Sequence, residues 1–181
     1  MTDGEAGGGG SGADRMDRTL EAVLGPGFDD LTAEQVRDLR RRFVDVVGCA
    51  VGGARADGNS ALRRMVTTGD GSGAATALHG GERLPPAEAA LLDAVQARSY
   101  DFEVSELHFR QDEDRPTGHI PATVDLAALA VGEAVGAGGR EVLAAAAVGG
   151  DLAARLATAE DFAPHRSFDL SGTVTAFGAA A

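Results

Sequence analysis

Val36, Leu39, Phe43, Val46 and Val47 recur at three- and four-residue spacing, which puts them on one face of a helix. Thr32 and Gln35 have the spacing of a capping box in front of that run, and Leu31 with Val36 fits a hydrophobic staple. The helix is expected to stop at Gly52 and Gly53. Arg37, Arg40, Arg41 and Arg42 fall mostly opposite the apolar stripe and read as a solvated face. Residues 61–68 allow a short helix, and the glycines between 69 and 73 read as a turn. Pro85 and Pro86 open a second strong helix, with Ala90, Leu91, Ala94 and Val95 as its expected core face. A third runs over residues 121–135, with Val124, Ala127, Ala128, Val131 and Val135 in register, and glycines at 136, 138 and 139 end it. A fourth covers residues 141–159. The small residues Ala127, Ala128 and 144–147 would let helix backbones approach closely. No stretch alternates as a strand would, so the pattern predicts an all-α helical bundle. Residues 172–181 turn apolar and helix-forming, with no packing partner in view, as in an interrupted domain.

Composition narrows the function. The chain has 181 residues, enough for one ordinary domain, and carries a net charge of −12. All 16 basic residues are arginines, so lysine Schiff-base and lysine nucleophile chemistry is excluded. The acidic balance argues against a nucleic-acid partner. One cysteine, Cys49, supports neither an internal disulfide nor a cysteine metal cluster. Residues 1–27 read as a flexible, acidic, glycine-rich tail without the basic and apolar regions of a signal peptide. The most apolar stretch, residues 142–159, is broken by Asp151 and Arg155, so no membrane association is expected. A cytoplasmic location is the expectation.

Chemistry concentrates between residues 101 and 119. Asp101, Glu103, Glu106, Asp112, Glu113 and Asp114 lie there with His108 inside the run and His119 just after it. Carboxylates beside an imidazole can orient the ring and make an acid/base centre. Composition alone favours a solvated acidic loop. No closely spaced histidine pair marks a metal site, and none is expected. His79 and His165 are isolated, and no Gly-x-Ser-x-Gly elbow accompanies Ser167 or Ser171.

The order of segments resembles the MmgE/PrpD family, which includes 2-methylcitrate dehydratase, cis-aconitate decarboxylase and iminodisuccinate epimerase. Residues 31–53 (LTAEQVRDLRRRFVDVVGCAVGG) resemble its opening helix, and residues 74–102 (AATALHGGERLPPAEAALLDAVQARSYDF) resemble the helix leading to its Asp-Phe-Asp-Asp motif. Residues 118–133 (GHIPATVDLAALAVGE) look like its Gly-His-Pro segment and following helix. Residues 148–159 (VGGDLAARLATA) and 168–181 (FDLSGTVTAFGAAA) look like its later Gly-Tyr-Glu-Val-x-x-Arg-Leu and Phe-His-Pro-Thr-Gly-Thr segments.

The resemblance implies a helical domain over residues 28–181, incomplete and without the family's lid domain. It implies cofactor-independent acid/base chemistry on small carboxylates: dehydration, decarboxylation or epimerisation. His119 matches the Gly-His-Pro histidine and would shuttle a proton; Asp101 matches the first acid of the Asp motif and would orient that histidine or a substrate hydroxyl. Asp169 stands where the family has its second catalytic histidine, which exchanges an imidazole for a carboxylate. His108 and His165 are the expected substrate contacts. Because the family chain is more than twice as long, the expected protein is the N-terminal half of a split lyase or isomerase. It would work as an oligomer with a second chain that supplies the lid, on a biosynthetic substrate. The alternative is a non-catalytic helical partner subunit.

Overall fold

The computed structural model describes residues 17–18, 21–23, 25–67, 71–105, 118–158 and 170–181. Residues 17–18 and 21–23 are helical. After a 3-10 turn at Phe28–Asp30 come α1 (Ala33–Gly53), α2 (Asn59–Val66), β1 (Ala75–Thr76), β2 (Arg83–Leu84), α3 (Pro86–Arg98), α4 (Ile120–Val135), α5 (Gly139–Thr158) and α6 (Leu170–Ala180). The fold is all-α apart from the two short strands.

The caps are those the sequence announces. Thr32 Oγ1 accepts from the Gln35 amide at 3.2 Å, and the Gln35 side chain accepts from the Thr32 amide at 2.8 Å. Pro86 sits in the first turn of α3, where its missing N–H costs no bond. Gly136, at φ 72°, closes α4 in the left-handed conformation.

Helix α4 is the centre of the bundle and packs on α1, α3, α5 and α6. Ile120, Pro121, Ala122, Val124, Asp125 and Leu126 are all buried along its first two turns. A helix with so wide an apolar surface has to lie among other helices. Leu126 and Ala122 pack with Val46, Ala50 and Ala97, joining α1, α3 and α4. Ile120 and Val124 pack with Ala153, Ala157 and Val174, joining α4, α5 and α6.

Two close helix crossings are made by glycines. A Cβ on Gly53 would lie 1.9 Å from the Gln96 carbonyl oxygen. One on Gly149 would lie 2.2 Å from the Gly178 carbonyl oxygen. Those are the places where α1 meets α3 and α5 meets α6.

The structure corrects four expectations. First, β1 and β2 pair antiparallel, with Ala75 opposite Leu84 and Thr76 opposite Arg83. Two-residue strands are too short to show alternation, so the pattern could not reveal them. Second, the buried face of α3 is Ala89, Leu92, Asp93, Gln96 and Ala97, while Leu91 and Val95 of the expected face are exposed. Apolar residues run nearly all round α3, and the true inner stripe contains two polar residues. Asp93 is tolerated there because it accepts the Leu78 amide at 3.1 and 3.2 Å. Third, Arg42 is not a solvated arginine; it pairs with buried Asp125 of α4. Fourth, the C-terminal segment does have packing partners. Helix α6 lies on α4 and α5, with Val174 fully buried.

Among the described residues no helix is long and apolar enough to cross a membrane.

Candidate functional site

Three side chains from two chain segments meet at the start of α4. His119 is the residue before the first turn of that helix, and its backbone amide donates to Ser171 Oγ at 2.9 Å. Ser171 belongs to α6, so the C-terminal helix holds the histidine's backbone in place.

Asp101 and Glu103 arrive on the segment that leaves α3. Asp101 is the one residue other than glycine among those described with positive φ, at 58°. The left-handed region costs an ordinary residue energy and is tolerated where surrounding contacts fix it. The sharp turn there follows the Asp101 amide's bond to the Arg98 carbonyl at 3.3 Å. Three residues on, the Val104 amide donates to Asp45 of α1 at 2.9 Å, which ties the segment to the bundle. At the base of this segment, Asn59 donates to the Gly53 carbonyl and to Ser99 Oγ, each at 2.7 Å.

The result is a four-residue cluster. His119 Nδ1 lies 2.9 Å from Glu103 Oε1, and His119 Nε2 lies 3.6 Å from Asp101 Oδ1. Arg98, on the last turn of α3, donates to Asp101 at 2.9 Å and also to Glu103. Burial divides the two acids. The Glu103 side chain is 0% exposed and the Asp101 side chain 69%. Glu103 Oε2 and His119 Nδ1 are buried without an aligned hydrogen bond, so the 2.9 Å approach of Glu103 Oε1 to Nδ1 is a close polar contact.

Asp101, Glu103 and His119 each offer a ligand atom within 4.8 Å of the others, a donor set that suits a divalent cation. Arg98 already supplies positive charge between the two carboxylates, and a metal would have to displace that guanidinium.

A cleft of about 950 Å³ opens beside the cluster, with Arg98 belonging to both. Its walls include Ala90, Leu91, Ala94 and Val95 of α3, with Arg55 and Tyr100 also lining it. Tyr100 packs against Phe102, ring centroids 5.9 Å apart, and both rings are well exposed.

Of the residues expected from the sequence, the structure brings His119 and Asp101 together. His108, His165 and Asp169 lie outside the described residues. The sequence reading included Glu103 among the acids but gave it no separate role, and it passed over Arg98. The signal was present: Asp101 and Glu103 are two apart, a spacing that can share one face in extended chain, and Arg98 precedes them by a helical turn.

The fold and this cluster define an all-helical domain with a histidine and two carboxylates gathered at the head of its central helix. The MmgE/PrpD N-terminal domain family matches residues 20–181. The chain therefore belongs to the MmgE/PrpD family. No curated protein matches it.

Proposed function

We propose that this domain is the helical part of an MmgE/PrpD-type lyase or isomerase, and that His119 carries the proton in its reaction. The observation that supports this is the placement of His119 between two carboxylates, one at each ring nitrogen. An imidazole so flanked can take a proton from a carbon next to a carbonyl or carboxyl group and return it elsewhere. Removal of that proton leaves its electron pair on the substrate, where it either expels a leaving group from the adjacent carbon or is reprotonated from the opposite face. In a decarboxylation the order is reversed: loss of carbon dioxide leaves the electron pair, and the protonated imidazole supplies the proton that takes it up. Arg55 and Arg98 line the cleft together with Asp57, and with Arg98 already bonded to the two acids, Arg55 is the guanidinium suited to pair with a substrate carboxylate.

The family model that matches is that of the N-terminal domain, and the proposal that a second chain completes the site rests on the apolar wall of the cleft. The exposed Leu91 and Val95 in the cleft wall fit a surface that another chain covers. The same exposed apolar wall favours the second reading, a non-catalytic helical partner that assembles through it.

The test is solvent exchange. The chain, co-expressed with a chain supplying the lid, is incubated in D₂O with small di- and tricarboxylates, and deuterium uptake is read by mass spectrometry. Uptake that falls about 10²–10⁴-fold in His119→Asn supports the enzyme. If the assembled pair exchanges nothing, the partner reading leads.

A further inference from the structure

Neutral imidazole has one N–H, yet His119 faces two acceptors. Its ring therefore has to choose between them, and the geometry is unequal. Glu103 Oε1 is at 2.9 Å from Nδ1, while Asp101 Oδ1 is at 3.6 Å from Nε2. The Glu103 side chain is wholly removed from water and the Asp101 side chain is mostly in it. A buried carboxylate oxygen has no solvent to fall back on, so a donor offered to it stabilises more than one offered to an exposed oxygen. Glu103 is also the better fixed of the two. Arg98 bonds both acids, but the Asp45–Val104 bond anchors the backbone immediately after Glu103.

We infer that Glu103, rather than Asp101, is the positioning residue of this site: it holds the proton of neutral His119 on Nδ1, leaving Nε2 to exchange protons with substrate and Asp101 free to meet substrate. The inference deepens the proposed function and rests on His119 being the proton carrier. The carboxylate on Nδ1 fixes both the tautomer and the ring plane, as a buried acid does behind a catalytic histidine. When Nε2 takes up a proton, Glu103 faces the imidazolium directly and Asp101 lies across the other nitrogen. The positive φ of Asp101 then has a use, because it turns that carboxylate toward Nε2 from the exposed side.

The test reads the tautomer directly. Long-range proton–nitrogen correlation spectra of the full ¹⁵N-labelled chain, recorded where the imidazole is neutral, distinguish Nδ1–H from Nε2–H. The chain has four histidines, and loss of one signal in His119→Asn assigns the ring. The expected result is a single Nδ1–H tautomer in the wild-type protein and in Asp101→Asn. Glu103→Gln, whose amide can either accept or donate, is expected to give a mixture; Glu103→Asp is expected to retain part of the preference. A wild-type ring that is Nε2–H or already mixed overturns the inference. So does a tautomer that changes in Asp101→Asn but not in Glu103→Gln. Circular dichroism establishes that Glu103→Gln folds. If it does not, the wild-type and Asp101→Asn spectra decide the matter alone. The outcome is separable from the proposed function, which fails on D₂O exchange whatever the tautomer.

Discussion

Arg42 grips both carboxylate oxygens of Asp125, with Nε at 2.8 Å from Oδ2 and Nη2 at 2.7 Å from Oδ1. The same guanidinium donates to the Ala146 carbonyl at 3.2 Å, so one arginine of α1 ties α4 and α5 together. Asp125 is fully buried while the Arg42 side chain keeps 18% of its surface exposed, so it is the Asp125 charge that would be stranded in the bundle if left alone. Arg42→Met is expected to cost about 3–5 kcal/mol in urea unfolding. The double variant Arg42→Met/Asp125→Leu is expected to recover most of that loss, because the penalty lies in the unpaired charge. Equal loss in the single and double variants would show that the pair's geometry, not its charge balance, is what matters.

Two glycines of the same helix should respond in opposite directions to alanine. Nothing lies within 4 Å of a Cβ on Gly48, whereas one on Gly53 would collide with the Gln96 carbonyl. Gly48→Ala is expected to stabilise by about 0.5–1 kcal/mol through helix propensity. Gly53→Ala is expected to destabilise by about 1–3 kcal/mol, since backbone must move to admit the methyl group. Thermal melts of the two variants settle it.

Adjacent leucines on α3 provide a test of which face is core. Leu92 is fully buried and Leu91 is 47% exposed. Leu92→Ala is expected to cost about 2–5 kcal/mol. Leu91→Ala in the isolated chain should stay within about 1 kcal/mol of wild type. Comparable losses for both would restore the face read from the sequence.

Asp93 sets a pH dependence of stability. Burial raises its carboxyl from the ordinary 3.8 to about 6, opposed by the Leu78 amide and the charge of Arg63. Between those two values the folded state holds a proton that the unfolded chain releases. Stability from this group is therefore full below about pH 4 and is lost as pH rises through about 6. Glu82 and Glu133 run the other way, held below the usual range chiefly by Arg63 and Thr76, so they lose stabilisation on acidification. Asp93→Asn keeps an acceptor for Leu78 and removes the titration. Its melting temperature minus that of wild type should increase between pH 4 and 7; a constant difference would contradict the assignment.

Much of the secondary structure is legible in the local pattern of residues. Helical periodicity placed α1 and α4, Thr32 with Gln35 marked where α1 begins, and Pro86 and Gly136 marked a start and a stop. These are local effects: a cap or a fixed φ acts within a few residues of itself. His119 and Asp101 were also legible, as residues matching motifs of a family. Which neighbours each side chain meets, by contrast, follows only from packing. On α3 apolar residues lie on several faces, and packing against α1 and α4 chose the stripe that includes Asp93 and Gln96. Arg42 looks like its neighbours Arg40 and Arg41 until Asp125, 83 residues on, comes within reach. Glu103 looks like any acid of an acidic run until folding removes it from water and sets it against a histidine. Burial and charge pairing depend on residues distant in the chain, and no local pattern encodes them.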